Sequence, residues 1–381
     1  MTHLQLTTAL SSCMLRSRPA MKKTLLAAGV LAWLAAPAHA QSSSQTSQQY
    51  SFNVKGDALA RYEWTRDLFD AGDTSRWRLQ ARPRVEIGVG SLLIAAGGDF
   101  NYSKDENTEP PLGAASVTLL RDNYKSRDGR LDLAFLSFKP GGWLQIQGGR
   151  FPMPAGLTEM IWDKDLRPQG GAVTFERKDS AGVRRFALTG LFGQGSHYFD
   201  DGKARMFLGQ AEIGSSSASL TGSYIEWRDI DQIEPMIRRQ NTRVGGAYIE
   251  DYRIVDGVLR LRKEGQVNTQ FIVDYCRNLA ADENNQGIWV ALVVGSTTSA
   301  KASVEYTYAS VDKDATLAAY ATDDFFWSTG WAGHRADLGL RISDHSAIHA
   351  VTQWQRFKDS PLAAEQDHWL KRYRVELRFQ R

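Results

Sequence analysis

The sequence predicts an all-β protein, a transmembrane antiparallel β-barrel of about sixteen strands. Polar and apolar residues alternate with period two from residue 51 onward, which is typical of strands that face two different environments. Short turns and long polar loops alternate along the chain, as in barrels that cross an outer membrane. No stretch of 18 or more consecutive apolar residues is present, which excludes a bundle of membrane helices. The mean hydropathy of −0.38 fits a barrel, because every second residue of its strands faces water.

The first forty residues have the features of an export signal. Met21-Lys22-Lys23 forms a positively charged start, and an apolar stretch runs from Leu25 to Ala36. Ala38-His39-Ala40 is a small-residue cleavage site. The apolar stretch is too short for a membrane-spanning helix, and no cysteine stands at the cleavage point to carry a lipid. We therefore predict a secretory signal peptide that is cleaved after Ala40.

Domain boundaries follow from this leader. Residues 1–40 form an N-terminal extension plus signal peptide, residues 41–50 a polar lead-in, and residues 51–381 the barrel. Because Met21 begins a complete leader, the start codon is either Met1 or Met21.

Charge and cysteine content change when the leader is removed. The whole chain has 46 basic and 43 acidic residues, but the leader contains four of the basic residues and no acidic one. The mature chain is therefore almost neutral, and nucleic-acid binding through bulk charge has no support. Cys276 is the only cysteine that remains, so no internal disulfide can form.

Three segments show the alternation most clearly. In segment 76–89, one face carries Trp77, Leu79, Ala81, Pro83, Val85, Ile87 and Val89, and the other carries Arg76, Arg78, Gln80, Arg82, Arg84 and Glu86. Segments 51–64 and 369–381 repeat the pattern. A soluble two-sheet protein has the same period. Against that alternative, aromatic residues concentrate at strand ends, and arginine and glutamate lie in mid-strand, where a packed core would not accept them.

Turns and loops set the predicted strand number. Tight turns are predicted at 88–91, 140–142, 179–182, 214–217, 297–300 and 343–346. Longer loops are predicted at 65–74, 102–129, 152–169, 194–202, 228–241, 279–286, 313–328 and 358–367. Segment 253–266 is too long for a periplasmic turn and is interpreted as a short helix or an extra hairpin. The strand number therefore lies between 14 and 18.

Two stretches of the sequence resemble a known family. Gly149-Arg150-Phe151-Pro152, followed by Ile161 to Gly171 (IWDKDLRPQGG), resembles the GRxPNP…WDxDLxxEG segment of the putative porin family of Gram-negative outer membranes. Met153 and Gln169 replace the asparagine and glutamate of that pattern. The C-terminal third is also similar, through DYCRN (274–278), YTY (306–308), DDF (323–325) and GHR (333–335). The resemblance implies an outer-membrane barrel with channel function and supplies no catalytic residues.

A barrel of sixteen strands is wide enough to enclose water, so its lining is the candidate site. The clearest strands carry eleven basic residues on the predicted lumen face: Lys55, Arg61, Arg76, Arg78, Arg82, Arg84, Arg335, Arg341, Arg372, Arg374 and Arg378. They carry five acidic ones: Asp57, Glu63, Glu86, Asp337 and Glu376. The first, second and last strands meet at the barrel seam, so these arginines are expected to form one basic wall. Such a wall would favour the passage of anions. Alternatively, its arginines and glutamates only pair with each other across neighbouring strands.

Loop 152–169 is the third predicted outer loop, the one that folds inward in general porins. It carries Glu159, Asp163 and Asp165, which would face the basic wall and create a transverse field at a constriction. Alternatively, these acids lie on the outer surface or bind divalent cations.

The favoured function is passive diffusion of small hydrophilic solutes across the outer membrane. The alternative is a non-conducting barrel with a structural or adhesive role through its loops.

No nucleophile elbow, zincin motif or calcium loop is present, so we expect neither catalysis nor a metal or other cofactor. A lipid hydrolase would need a Ser–His pair at membrane level, which the pattern does not place. The expected partners are outer-membrane lipid and small solutes, with a homotrimer by analogy with general porins and loop 102–129 as its latch.

Overall fold

A computed structural model describes the chain over residues 50–66, 73–106, 127–179, 184–196, 204–233, 240–322, 324–325, 327–358 and 369–380. The predicted signal peptide and most of the predicted latch loop 102–129 lie outside these residues. Within them, no helix combines the length and the apolar character that a membrane crossing requires.

The described residues form eighteen strands. The strands are β1 (Tyr50–Arg66), β2 (Thr74–Val89), β3 (Leu92–Glu106), β4 (Arg127–Gly141), β5 (Leu144–Arg150), β6 (Arg167–Lys178), β7 (Arg184–Ser196), β8 (Arg205–Ser215), β9 (Ala218–Arg228), β10 (Arg243–Val244), β11 (Ala247–Tyr248), β12 (Tyr252–Lys263), β13 (Thr269–Asn278), β14 (Gln286–Gly295), β15 (Ala302–Val311), β16 (Trp331–Ser343), β17 (Ser346–Phe357) and β18 (Leu370–Gln380). A short 3₁₀ helix at Ile230–Gln232 precedes the β10–β11 hairpin.

Sixteen of these strands close into one antiparallel barrel, which confirms the predicted fold class. Each barrel strand pairs with its neighbour in the chain, and β9 pairs with β12 because the hairpin β10–β11 stands apart from the barrel. The last strand closes on the first, with Asp57 opposite Gln380 and Arg66 opposite Lys371. Closure leaves the barrel without an unpaired edge.

The interpretation of segment 253–266 was wrong. Residues 252–263 are strand β12, and only residues 264–268 form the turn. The alternation was hidden because apolar residues lie on both faces: Ile254 and Val258 point inward and are buried, whereas Val255 and Leu259 point outward. With β12 as a strand the barrel has sixteen strands, which is the predicted number.

The two faces of the wall have opposite character. Along β2, Trp77 is 45% exposed and Arg78 only 3%, and the same alternation continues through Leu79 and Gln80. The outward face is therefore apolar and the inward face polar, as a barrel in lipid requires. Charged side chains and two loops that cross the interior lie inside the barrel.

One glycine is required by the backbone. Gly149 on β5 has a φ of +115°, and a Cβ at this position would clash with the carbonyl oxygen of Ala134 on β4. Its neighbour Gly148 has open space around the position of a Cβ.

We predict that Gly149→Ala lowers the free energy of unfolding by about 1–3 kcal/mol, because alanine is strained in this conformation. Urea unfolding of the barrel from lipid vesicles measures the change. Gly148→Ala is the matched control and should stay within about 0.5 kcal/mol of the parent. Equal midpoints for the two variants would contradict the strain argument.

Candidate functional site: the barrel interior

Loop 151–166, between β5 and β6, crosses the interior of the barrel. At one end, the Gly156 amide donates to Gln210 on β8 at 2.8 Å, and Arg260 on β12 donates to the Gly156 carbonyl at 2.8 Å. Thr158 donates to Asp274 on β13. At the other end, Asp165 pairs with Arg82 on β2. Strands β2 and β13 lie almost opposite each other in the barrel order, so the loop spans the lumen.

A second loop, 312–330 between β15 and β16, also lies inside. Ala315, Leu317, Ala319, Tyr320 and Phe325 are each at most 1% exposed. The Tyr320 hydroxyl donates to the carbonyl of Gly195 on β7 at 2.9 Å, on the far side of the barrel. From the sequence, residues 313–328 are predicted to be an outer loop. The apolar run at residues 317–321 (LAAYA) is the signal of the inward course, because such a run is unusual for a water-exposed loop.

Stacked aromatic rings join the two loops to each other and to the wall. The Tyr320 ring stacks on Trp227 of β9 with centroids 4.1 Å apart, and on Trp162 of the first loop at 5.6 Å. The interplanar angles are 14° and 8°. The Asp163 amide donates to the Tyr320 carbonyl at 2.7 Å, and the Thr322 amide donates to the Glu159 carbonyl at 2.8 Å. Each aromatic pair contributes about 0.5–1.5 kcal/mol beyond its buried area, so the loops form one packed unit.

Asp324 of the second loop lies at the centre of a cluster of cations. Its Oδ1 is 3.0 Å from Arg374 and 3.8 Å from Arg61, and its Oδ2 is 2.5 Å from Lys164 and 3.7 Å from Arg335. Burial alone would raise the pKa of Asp324. The surrounding cations outweigh burial and hold this pKa well below its usual range. Asp324 therefore stays ionised and links both loops to the basic wall.

The basic wall is interleaved with carboxylates. Arg61 bonds Glu376 at 2.7 Å, and Glu63 lies between Arg76 at 2.5 Å and Arg374 at 3.2 Å. These contacts join β18, β1 and β2 across the barrel seam. Much of the positive charge is thus matched locally, and the arginines do not form a wall of one sign.

The remaining predicted wall residues also lie on the inward face. Arg82 bonds Asp57 at 2.8 Å, and Arg84 pairs with Glu86. Arg78 is buried, and Arg341 lies near the turn end of β16. Arg335 has Glu305, Asp337 and Glu159 at 3.6–3.9 Å. Arg372 donates to Thr65 at 3.2 Å, and Arg378 bonds Asp337 at 3.0 Å.

The three loop acids have different surroundings. Asp165 faces the basic wall through Arg82, and Glu159 bonds Lys164 at 2.9 Å. Asp163 is buried and accepts the amide of Asp165 at 2.8 Å, so it orders the loop itself.

Two buried acids on the opposite wall were missed by the sequence analysis. Asp256 on β12 and Asp274 on β13 point inward and are almost fully buried. Ser223 donates to Asp256 at 3.3 Å, and Thr158 of the first loop donates to Asp274. The inward phase of β12 would have shown Asp256, had segment 253–266 been recognised as a strand. Across the described residues, no group of three or more His, Cys, Asp or Glu side chains is arranged to hold a metal ion.

Comparison with known proteins agrees with this architecture. A family model described as "Putative porin" matches residues 50–206, which include the GRFP and IWDKDL segments. The resemblance is thereby confirmed for this part of the chain, and the C-terminal motifs lie outside the matched range. No curated protein matches the sequence significantly.

Two solved structures are similar in fold. An anion-selective porin from Comamonas acidovorans is 13% identical, with a TM-score of 0.50, and the alignment covers 87% of this chain and 100% of that one. Salmonella typhi OmpF in complex with daunomycin is 11% identical, with a TM-score of 0.51, over 87% of this chain and 97% of that one. At these identities the likeness concerns the fold alone.

We predict that Asp324→Asn destabilises the loop unit by about 3–5 kcal/mol, because four cations would lose their shared carboxylate. Faster hydrogen exchange of residues 312–330 at neutral pH measures the effect. Asp231→Asn, which changes an exposed acid, is the control. Unchanged exchange in the Asp324 variant would show that the cluster does not hold the loop.

The lowered pKa of Asp324 also predicts a pH dependence. The pKa of this carboxyl is lower in the folded protein than in the unfolded chain, where it is about 3.9. Asp324 therefore contributes its full stabilisation at any pH above the unfolded-state pKa. This contribution is lost as the pH falls through the lower, folded-state pKa. The near-ultraviolet circular dichroism of the aromatic stack should therefore stay constant from pH 8 to about 5. It should weaken only below about pH 4. Loss of signal near pH 6 would contradict the assignment.

Proposed function

We propose that this porin-like β-barrel is a passive diffusion channel of the bacterial outer membrane for small hydrophilic solutes. The observation that carries the proposal is the closed sixteen-strand barrel with a charged inward face. Barrels of this strand number are wide enough to enclose an aqueous channel, whereas eight-stranded barrels are filled by their own side chains. The porin family to which its N-terminal half is similar consists of channels rather than enzymes.

The proposed path narrows from the turn end toward the two loops. Near the turn end, Lys55 and Asp57 have side chains that are 53% and 42% exposed although they point inward. Farther along, the ion-paired side chains of Arg82 and Asp165 are only 19% and 15% exposed, and we assign the narrow part of the path to this pair. Opposite charges across a constriction orient dipolar solutes and exclude apolar ones.

We also propose that the lumen has a weak preference for anions over cations. Arginine keeps its charge at any physiological pH and is weakly hydrated, so partly exposed guanidiniums suit transient contact with anions. The interleaved carboxylates reduce the preference, because they neutralise the buried arginines. The partly exposed cations Lys55, Arg84 and Arg378 near the turn end are then the groups that passing ions meet.

One observation favours the alternative of a non-conducting barrel. Loop 312–330 fills part of the interior with buried side chains and is joined to loop 151–166 by the aromatic stack. A barrel closed by this unit would serve a structural or adhesive role through its outer loops.

A homotrimer also belongs to the proposal, by analogy with general porins. Residues 107–126, which would contain the latch, lie outside the described part of the chain. Light scattering of the purified protein in detergent gives the oligomeric mass.

We predict stepwise single-channel conductance when the purified, folded protein is inserted into a planar lipid bilayer. Heat-modifiable gel mobility confirms folding before the measurement. Folded protein that inserts without current steps would contradict the channel proposal and support the closed barrel. If so, Asp324→Asn, which loosens the loop unit, tests whether the loops are the barrier.

We predict that Arg82→Gln combined with Arg84→Gln shifts selectivity toward cations, because two positive charges are removed while the neighbouring Asp57, Asp165 and Glu86 keep their negative charge. In a tenfold salt gradient, the reversal potential should move by several millivolts of the roughly 59 mV that marks ideal selectivity. Arg177→Gln with Arg184→Gln is the matched control, since these arginines are exposed on the outward face. An equal shift in both variants would place the effect outside the lumen.

A further inference from the structure

A serine and a histidine approach each other on the inward wall over Gly339, near the turn end of the barrel. Ser303 on β15 and His349 on β17 both lie opposite Gly339 on β16, one on each side. A Cβ at Gly339 would lie 2.6 Å from the Ser303 Oγ and 2.6 Å from the His349 Cε1. Because this side chain is missing, two polar groups that are two strands apart come together.

His349 presents a hydrogen-bond acceptor at this position. Its Nδ1 lies 2.7 Å from the Asp337 Oδ1, and Arg378 donates to the Oδ2 of the same carboxylate at 3.0 Å. An ionised carboxylate only accepts hydrogen bonds, so Nδ1 carries the proton and Nε2 of the neutral ring keeps its lone pair. Within the part of the chain that the structure describes, Nε2 has no hydrogen-bond partner, although His349 is only 5% exposed. A buried acceptor of this kind calls for a donor from a ligand.

Two cations lie next to the serine and the histidine. Arg341 follows Gly339 by two residues on β16 and therefore lies on the same face of the sheet. Lys301, just before β15, lies opposite Arg341, whose amide donates to the Lys301 carbonyl at 2.9 Å. Lys301 is exposed and Arg341 is half-buried, and neither side chain forms an ion pair with a residue that the structure describes.

The acids around these two cations do not neutralise them. Asp344, in the turn between β16 and β17, is exposed and forms no ion pair with any described residue. Positive charge is therefore available to a ligand at Lys301 and Arg341. Each neighbouring acid on the inward face contacts a different arginine: Glu305 contacts Arg335 at 3.6 Å, Asp337 contacts Arg378 at 3.0 Å, and Glu376, opposite His349, contacts Arg61 at 2.7 Å.

We propose that Lys301, Ser303, Arg341 and His349 bind inorganic phosphate as it passes through the lumen. The two cations and the Ser303 hydroxyl donate to phosphate oxygens, and the hydroxyl group of the phosphate donates to the His349 Nε2. Charge-assisted hydrogen bonds from guanidinium and ammonium groups suit a dianion of this size. The inference rests on the proposed channel function and deepens it, because it names a class of solute.

The acceptor on His349 makes the site selective. Sulfate has nearly the same shape as phosphate and also carries two negative charges, but at neutral pH it has no proton to donate. A bound sulfate would therefore place an oxygen against the lone pair of Nε2 and leave this buried acceptor unpaired. The site is expected to prefer a protonated oxyanion for this reason.

Isothermal titration calorimetry of the folded, full-length protein in detergent tests the site, with inorganic phosphate and sulfate as probes at about pH 8. We expect phosphate to bind at least about tenfold more tightly than sulfate. Arg341→Gln should weaken phosphate binding about tenfold, because it removes a charged donor. Arg177→Gln is the matched control, since it changes an exposed arginine on the outward face, and it should bind phosphate as the parent does. Equal affinity for the two anions, or equal loss in the two variants, would overturn the proposal.

A second variant tests the acceptor. The amide group of a glutamine can either donate or accept, so His349→Gln should remove the preference for phosphate over sulfate while both anions still bind at Arg341. Heat-modifiable mobility confirms that the variant folds. A folded His349→Gln variant that keeps the full preference would contradict the role of Nε2.

Planar-bilayer recordings separate this inference from the channel proposal. Selective phosphate binding by a protein that gives no current steps would contradict the channel and leave the binding site intact. Current steps from a protein that binds phosphate and sulfate equally would contradict the phosphate site alone.

Discussion

Hydrocarbon offers no hydrogen-bond partner to a peptide group, so every N–H and C=O of a strand in the membrane must pair within the protein. This constraint governs the rest of the structure. It requires a closed ring of strands, and the ring here closes where β1 pairs with β18 along ten residues of each strand. It also explains why large apolar residues such as Trp77 are exposed, because lipid and not water covers that face.

Closure produces an interior that the chain must stabilise without a conventional apolar core. On one side of the interior, carboxylates and guanidiniums alternate across the seam, as in the contacts of Arg61 with Glu376 and of Glu63 with Arg374. On the other side, two loops bring apolar and aromatic residues into the barrel and stack them against β9. Asp324 connects the two regions, since it belongs to a loop and contacts cations of the wall.

This arrangement changes how the basic residues are understood. In the sequence, basic residues outnumber acidic residues on the inward faces of the clearest strands. In the barrel, many of these basic side chains are buried and paired with carboxylates. Charges that remain partly exposed, such as Lys55 and Arg378, lie near the turn end, where water reaches the lumen. Any selectivity of the lumen therefore depends on a few accessible side chains and not on the total charge.

Local pattern was sufficient for most of the barrel, because the side chains of a strand alternate between two faces whatever its neighbours are. The alternation of segment 76–89 and the order of turns and loops thus predicted the faces, the closure and nearly all the strand positions. Segment 253–266 was missed because its inward face carries Ile254 and Val258 among the polar residues. The inward course of loop 312–330, the stack of Tyr320 on Trp227 and the position of Asp324 could not be predicted from the sequence. Each depends on contacts between residues far apart in the chain, such as Tyr320 with Gly195 and Asp324 with Lys164. Such contacts exist only after the barrel has closed and brought opposite walls within reach.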